Sequence, residues 1–323
     1  PFIKGSDDFT VALRADGTVW TWGSNAYGQL GIGKSETEVP MTTFPVQVSI
    51  GQLIEEIAVG RHHVLARTAD GDIYAWGRNS RGQLGQGEDD RTDYSSPVQV
   101  KMWEGGSGEY FTGATSIAAG DEHSMAVSGG TAYAWGTNQK GQMGQKLTPE
   151  PTDTTEYYSC VPIPVLGENE GNLTGVMKVY AGADQSFALS EDTNLFAWGN
   201  NEYGQLGRGE PSAPYYTGQV GRSIFSQGNI TMTGVTDVAV GRSHTLVMVQ
   251  DTNNNITVRG FGSNLYGQLG IIFSWQNADP ALMGYGTQQV PAACVLQLDV
   301  ESGYANSMPD KLTTDLNDVV AIA

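Results

Sequence analysis

The feature that most constrains this chain is a thirteen-residue stretch, Val19–Gly31, that recurs four more times. Its core reads Trp-Gly-x-Asn-x-x-Gly-Gln-Leu-Gly, and the copies keep an aromatic residue at the head. These residues stand 54, 59, 63 and 63 positions apart: Trp22, Trp76, Trp135, Trp198 and Phe261. A fixed long period indicates an array of similar structural units.

Each unit is predicted to form four short strands. In the second unit they are Ile54–Gly60, His63–Thr68, Ile73–Gly77 and Pro97–Lys101. Asp70-Gly71 indicates a two-residue hairpin between the second and third strands, since such turns need positive φ at their central positions. Four strands in about 60 residues, without helical periodicity, are typical of a β-propeller blade. The small side chains of the first strand place it innermost, and the prolines of the fourth suit an outer edge.

The chain is therefore predicted to be one all-β propeller domain, residues 1–323, with five complete repeats and the first strand of a sixth. The expected repeats are 1–53, 54–113, 114–175, 176–234 and 235–316, followed by 317–323. Three arrangements stay open: an incomplete piece, closure with five blades, or a last strand that pairs outside its own chain. The opening Pro1, without a signal-like segment, predicts a processed product or an excised piece.

The residues at fixed repeat positions are predicted to be structural. The head aromatics should pack between blades, and a second aromatic set two residues earlier, from Trp20 to Phe196, is expected on the opposite face. The asparagines should shape the motif turn through bonds to the backbone: Asn25, Asn79, Asn138, Asn201 and Asn264. The histidines should bond to a neighbouring blade's backbone, with Asp8 and Gln185 in their slot elsewhere: His63, His123 and His244.

No catalytic residue, metal site or cofactor is predicted. Gly28–Ser35 matches the phosphate-loop pattern G-x-x-x-x-G-K-[ST], but its glycines belong to the repeat and no helix start follows, so the match is ascribed to chance. Three sequons, at Asn172, Asn229 and Asn255, are possible glycosylation sites in predicted loops. An apolar cluster where other copies are polar is predicted to be an interface patch or a satellite core: Ile271, Ile272, Phe273 and Trp275.

The net charge of −18 bears on partners. Nucleic acid requires clustered Lys and Arg, and no basic run exists, so nucleic acid is not an expected partner. No apolar run approaches the roughly 20 residues of a membrane span, so membrane insertion is not expected.

The Trp-Gly-x-Asn-x-x-Gly-Gln-Leu-Gly core, the Gly-x-x-His before the second strand and the Asp-Gly hairpin resemble the regulator-of-chromosome-condensation repeat family. The resemblance covers nearly the whole chain and implies a β-propeller, usually of seven blades. It also implies several roles: exchange factor for a small GTPase on chromatin, inhibitor of a secreted enzyme, or general binding platform.

The leading functional expectation is a non-enzymatic scaffold for protein–protein interaction or self-assembly, outside the cell. The Lys-poor composition and the sequons favour that location, and the acidic charge argues against docking on chromatin. One alternative is an exchange factor or regulator of a small GTPase, in the cytoplasm or nucleus. A second alternative is an inhibitor of a secreted enzyme.

Overall fold

The computed structural model describes residues 1–87, 89–102, 109–145, 157–168, 171–208, 216–223, 232–266, 268–269 and 289–295. Within these residues every regular element is a strand, and there are five antiparallel sheets of four strands each. The all-β propeller architecture predicted from the repeats is confirmed.

The strands follow one another along the chain in the order in which they pair. The first sheet holds β1 (Phe2–Gly5), β2 (Phe9–Leu13), β3 (Val19–Ser24) and β4 (Met41–Gln47), and the second holds β5 (Ile54–Val59), β6 (His63–Thr68), β7 (Ile73–Gly77) and β8 (Tyr94–Gln99). The third holds β9 (Ala114–Ala119), β10 (His123–Ser128), β11 (Thr131–Thr137) and β12 (Tyr158–Pro164). The fourth holds β13 (Val176–Ala181), β14 (Gln185–Ser190), β15 (Leu195–Asn200) and β16 (Tyr216–Arg222). The fifth holds β17 (Val235–Val240), β18 (His244–Gln250), β19 (Ile256–Ser263) and β20 (Gln289–Val295).

We call these sheets blades 1 to 5, and each lies within one of the expected repeat ranges. Residues 317–323, the expected start of a further repeat, lie outside the described residues.

The first strands of neighbouring blades contact one another, which puts them on the inside of the array. The fourth strand pairs only with the third, at the opposite edge of each sheet. Every pairing between third and fourth strands shifts register at the motif, as between Ala75 and Gly77. The shift places Pro97 in a bulge, where a residue without an N–H disturbs no ladder bond.

The hydrophobic cores lie between blades rather than within them. Trp76 of blade 2 is fully buried among side chains of blade 1, such as Val11 and Leu13. Trp135 fills the same place against blade 2, Trp198 against blade 3 and Phe261 against blade 4. A blade therefore buries its apolar faces only through its neighbours, as expected for stacked repeats.

The second aromatic set does not lie on the opposite face, so that expectation is wrong. Tyr133 packs into the same core as Trp135, with the Phe111 ring edge-on at 5.2 Å. Residues two apart in a strand point to the same side, so positions 133 and 135 share one face. The other face carries the small residue between them, Ala134, in the next core along the array.

Candidate functional site at the motif end

The motif loops join the third and fourth strands at one end of the propeller, here called the motif end. The loops between first and second strands lie at the same end, and the tight hairpins, such as Asp70-Gly71, lie at the other, the hairpin end. The two loop types together form the candidate site.

Each motif loop is closed by its asparagine side chain. The backbone N–H five residues further on donates to the asparagine Oδ1 at 2.9 to 3.2 Å in all five copies: Asn25, Asn79, Asn138, Asn201 and Asn264. The following glutamine accepts a backbone N–H within the same loop, as Gln29 does from Tyr27 at 2.8 Å. Buried amides with these bonds hold the loop backbone in one conformation.

The tryptophans fasten neighbouring blades. The indole Nε1 donates to the glutamine carbonyl of the preceding motif loop, at 3.0 Å from Trp76 to Gln29. Trp135 and Trp198 repeat the bond to Gln83 and Gln142 at 2.8 and 2.9 Å. Phe261 has no such donor, and there the hydroxyl of Thr245 donates to the Gln205 carbonyl at 3.0 Å.

His63 and His123 each contact a serine side chain of the next blade, and the His63 ring also interacts with the His123 backbone. His63 Nε2 lies 3.0 Å from Ser124 Oγ of the next blade, and His123 Nε2 lies 2.9 Å from Ser186 Oγ. Gln185 has a backbone partner, since its amide donates to the Gly241 carbonyl at 2.6 Å. His244, in blade 5, is half-buried.

In blade 1 the histidine slot is filled by Phe9, not by Asp8. Phe9 pairs with Gly23 as His63 pairs with Gly77, which fixes the correspondence. The sequence count from the repeat glycine slips by one residue because Ser6 stands where the other blades have glycine. Its N–H donates to the Phe9 carbonyl as the Gly60 N–H donates to that of His63.

Charged side chains of alternating sign surround the inner rim of the motif end. The position after the repeat glycine holds Asp7, Arg61, Asp121, Ala183 and Arg242 in successive blades. Arg61 pairs with Asp7 at 3.3 Å, and Arg242 reaches across blade 4 to Asp121 at 2.8 Å. Between them, the Ala183 carbonyl of blade 4 accepts from the Asp121 N–H at 2.9 Å.

Further contacts join the first three motif loops to the next blade. The Tyr27 ring packs at a tilt against the His62 ring, with the ring centroids 4.9 Å apart. Arg81 and Arg78 share the Glu122 carboxylate at 3.7 and 3.3 Å. Burial, and then the charge of Asp121, raises the pKa of the Asp184 carboxyl, while Lys140 opposes the shift. These charged groups were not predicted from the sequence. The differences among the repeat copies at these positions are the signal that could have identified them.

The phosphate-loop look-alike holds a carboxylate of its own chain. Lys34 Nζ and the Ser35 N–H both donate to Glu38, each at 3.0 Å. The backbone bond from Ser35 is the main cause that lowers the pKa of Glu38. The donors that would meet a phosphate are therefore used by Glu38.

The other predicted sites are placed unevenly. Asn172 is exposed beside the Leu166 bridge, and Asn255 is exposed with its side-chain amide donating to Asp251 at 2.9 Å. Asn229 and the predicted interface cluster lie outside the described residues: Ile271, Ile272, Phe273 and Trp275.

Among the described residues there is no group of three His, Cys, Asp or Glu side chains that could hold a metal ion. Across the same part of the chain we find no helix with the length and hydropathy of a membrane span.

A family model described as the regulator of chromosome condensation (RCC1) repeat matches residues 16–67, 70–127, 129–189 and 192–248. The chain belongs to this family. Each matched unit contains the third and fourth strands of one blade and the first two strands of the next. The RCC1 resemblance inferred from the motif is thus confirmed.

Two curated relatives show how widely the repeat is used. The ultraviolet-B receptor UVR8 of Arabidopsis thaliana is 32% identical over 83% of this chain and 54% of its own length. The human probable E3 ubiquitin-protein ligase HERC6 is 31% identical over 64% of this chain and 19% of its own length. The chain thus spans about half of the plant receptor and a fifth of the human protein.

Among solved structures, Prp20p from Saccharomyces cerevisiae superposes with a TM-score of 0.70 at 23% identity, over 92% of this chain and 65% of the yeast chain. At this identity the likeness establishes the fold. The yeast structure was described together with the binding of Prp20p to Gsp1p and histones.

The expectation of a non-enzymatic extracellular scaffold is wrong. The similar proteins are an ultraviolet-B receptor, a probable ubiquitin ligase and a yeast protein described with its binding to Gsp1p and histones, and none of these descriptions is that of an extracellular scaffold. The features that favoured an extracellular location do not report on compartment, since three sequons are close to the number expected by chance in this composition.

Proposed function

We propose that this RCC1 propeller is a regulator that binds a small GTPase through its motif end, in the nucleus or cytoplasm. It acts by binding and carries out no chemical reaction of its own. Gsp1p, the protein described with Prp20p, is the first partner to test. Neither nucleic acid nor a cofactor is part of the proposal.

The observation that carries the proposal is the fixed pattern of charge at the motif end. Arg242 is 65% exposed and Asp121 28% exposed, although they are paired with each other. Asp184 is crowded against Asp121, which favours the arrival of a further positive charge. A basic side chain of the partner can therefore pair with Asp121 and Asp184, while Arg242 turns to an acidic group.

The motif loops give this surface the rigidity that recognition requires. Their backbones are held by buried asparagine and glutamine side chains, and their tips contact the next blade through pairs such as Tyr27 with His62. Charged groups fixed before binding avoid much of the entropy lost when a flexible loop is ordered.

The proposal predicts that the chain accelerates release of a fluorescent guanine nucleotide from its GTPase. Asp121→Ala should lower that acceleration about tenfold or more, because truncating one partner of a charged pair at an interface costs roughly 2 kcal/mol or more. Stability should change little, because partly exposed ion pairs contribute at most about 1 kcal/mol.

Asp192→Ala is the matched control. Asp192 is exposed in the β14–β15 hairpin at the opposite end, and its removal changes the net charge by the same amount. If Asp192→Ala reduces release as much as Asp121→Ala, the motif end is not the binding surface. If no small GTPase binds the unmodified chain, the proposal fails.

A further inference from the structure

Two buried histidines are not used by the proposed binding surface. His63 and His123 open the second strands of blades 2 and 3, and both are fully buried. Each imidazole contacts a serine of the next blade, so two consecutive blade junctions contain the same arrangement. The chemistry of each buried imidazole depends on which of its two ring nitrogens carries the proton.

The hydrogen bonds of the serines determine the tautomer of each ring. Ser124 Oγ donates to the Gln83 carbonyl at 2.8 Å, and Ser186 Oγ donates to the Gln142 carbonyl at 2.7 Å. A hydroxyl has one hydrogen to give, so toward the imidazole it can only accept. Nε2 of His63 and of His123 must therefore carry the proton.

The other ring nitrogen of each histidine, Nδ1, carries no proton in this tautomer. Nδ1 of His63 and of His123 is buried and has no hydrogen-bond partner among the described residues. The charged side chains of the loops packed around the rings are bonded to one another: Arg61 to Asp7, Arg242 to Asp121, and Arg78 and Arg81 to Glu122. Within that part of the chain, the ionisable groups whose charge acts on His63 are the imidazoles of His62 and His123.

We propose that the two histidine–serine contacts make the junctions between blades sensitive to acid. Each holds one blade against the next while its imidazole is neutral, and each gives way when the ring takes up a second proton. The added charge at Nδ1 would be buried with no carboxylate to balance it, so the protonated ring is stable only where the junction has opened and water reaches it.

The direction of the pH effect follows from the two states. Burial lowers the pKa of both His63 and His123 to about 3 in the folded chain. In the unfolded chain each titrates near pH 6.5, so below that pH the unfolded state binds more protons. The stability that these two histidines contribute is therefore fully present above about pH 6.5 and is lost as the pH drops toward 3.

Blade 4 supplies a replacement that does not titrate. Gln185 occupies the same slot and is fully buried, and its amide donates to the Gly241 carbonyl of blade 5 at 2.6 Å. The slot therefore accepts a glutamine side chain, and His63→Gln and His123→Gln are compatible with the fold.

The first test measures urea unfolding at several pH values. Between pH 6 and pH 5 the unfolding constant of the unmodified chain should rise about 50-fold more than that of the His63→Gln, His123→Gln double variant, because two protons are linked to unfolding. His62→Gln is the control, since His62 is half-buried and lies next to His63. That variant should keep most of the acid response, and an equal response in all three chains would overturn the proposal.

The second test needs no substitution and remains decisive if a variant fails to fold. Nitrogen-15 NMR of labelled histidines should show two rings that stay neutral in the Nε2–H form from pH 7 to pH 5. A neutral ring with its proton on Nδ1, or a ring that is charged at pH 5 in the folded chain, would contradict the proposal.

Discussion

At the scale of single residues, the glutamine carbonyl of each motif loop is the group that most depends on its neighbours. It is buried between two blades, where an acceptor without a donor costs about 1 to 3 kcal/mol. Among the described residues, Gln29 receives only the Trp76 indole, because Val64 stands where later blades have a hydroxyl. Gln83 receives both Trp135 and Ser124.

This difference predicts unequal effects of one substitution. Trp76→Phe should lower the free energy of unfolding by about 2 to 3 kcal/mol, since it leaves the Gln29 carbonyl unbonded. Trp135→Phe should cost about 1 kcal/mol less, because Ser124 still donates. Trp22→Phe should have the smallest effect, since Trp22 is only half-buried. Urea unfolding would measure all three, and equal losses would show that the hydroxyl does not substitute for the indole.

Sequence alone predicted the positions of these residues better than their partners. The period brought Trp76 and Trp135 into register, and packing between blades followed from the propeller architecture. The serine partners of His63 and His123 stand about 60 residues away, at positions where other blades have Val64 or Thr10, so the repeat pattern carried no signal for them.

At the scale of elements, local chemistry fixed some strands and tertiary contacts fixed others. The bounds of β6 and β7 were predicted residue for residue, because an Asp-Gly hairpin joins them. The outer strand was predicted as Pro97–Lys101 but is Tyr94–Gln99. Its early start depends on the bulge opposite Trp76, which no local pattern of the strand itself predicts.

The hairpins also show how closely one connection of the chain approaches another. Gly71 has φ +84°, and a Cβ there would lie 2.5 Å from the Ala114 nitrogen. Gly51 has a similar φ of +80°, with nothing within 4 Å of the same position. Both need the left-handed region, which costs a non-glycine residue about 1 to 2 kcal/mol.

Gly51→Ala should therefore destabilise the chain by about 1 kcal/mol, through its backbone conformation alone. Gly71→Ala should cost at least about 2 kcal/mol more, because the linker to β9 must also move. Thermal or urea unfolding of the pair would separate the two terms. Similar losses would mean that the β6–β7 hairpin and the linker can separate without penalty.

At the scale of the whole molecule, stability should vary along the array. Blades 2 to 4 are packed on both faces by described neighbours, whereas Phe2 and Ile3 of β1 are 61% and 69% exposed. In stacked repeats each unit depends on its neighbours, so units with fewer contacts open more easily.

Amide hydrogen exchange should follow that order in the 323-residue chain. The amides of β10 and β14 should exchange most slowly and those of β1 most rapidly, with β2 between them. Mass spectrometry of peptic fragments would give the required resolution. Equal protection of β2 and β10 would indicate that blade 1 is covered as completely as the interior blades.

The shared role of indole and hydroxyl also affects how the repeat can diverge. Where a serine or threonine already donates to the carbonyl, the tryptophan can be lost by mutation without loss of the bond between blades, as Phe261 and Thr245 illustrate. Tryptophan, the most recognisable residue of the motif, is then also the residue that can be replaced most easily. The RCC1 match ends at residue 248, before the fifth motif copy, although Leu269 of that copy donates to Asn264 through the same hydrogen bond as in the other copies. Blades of this kind can persist in a chain after their signature has faded from its sequence.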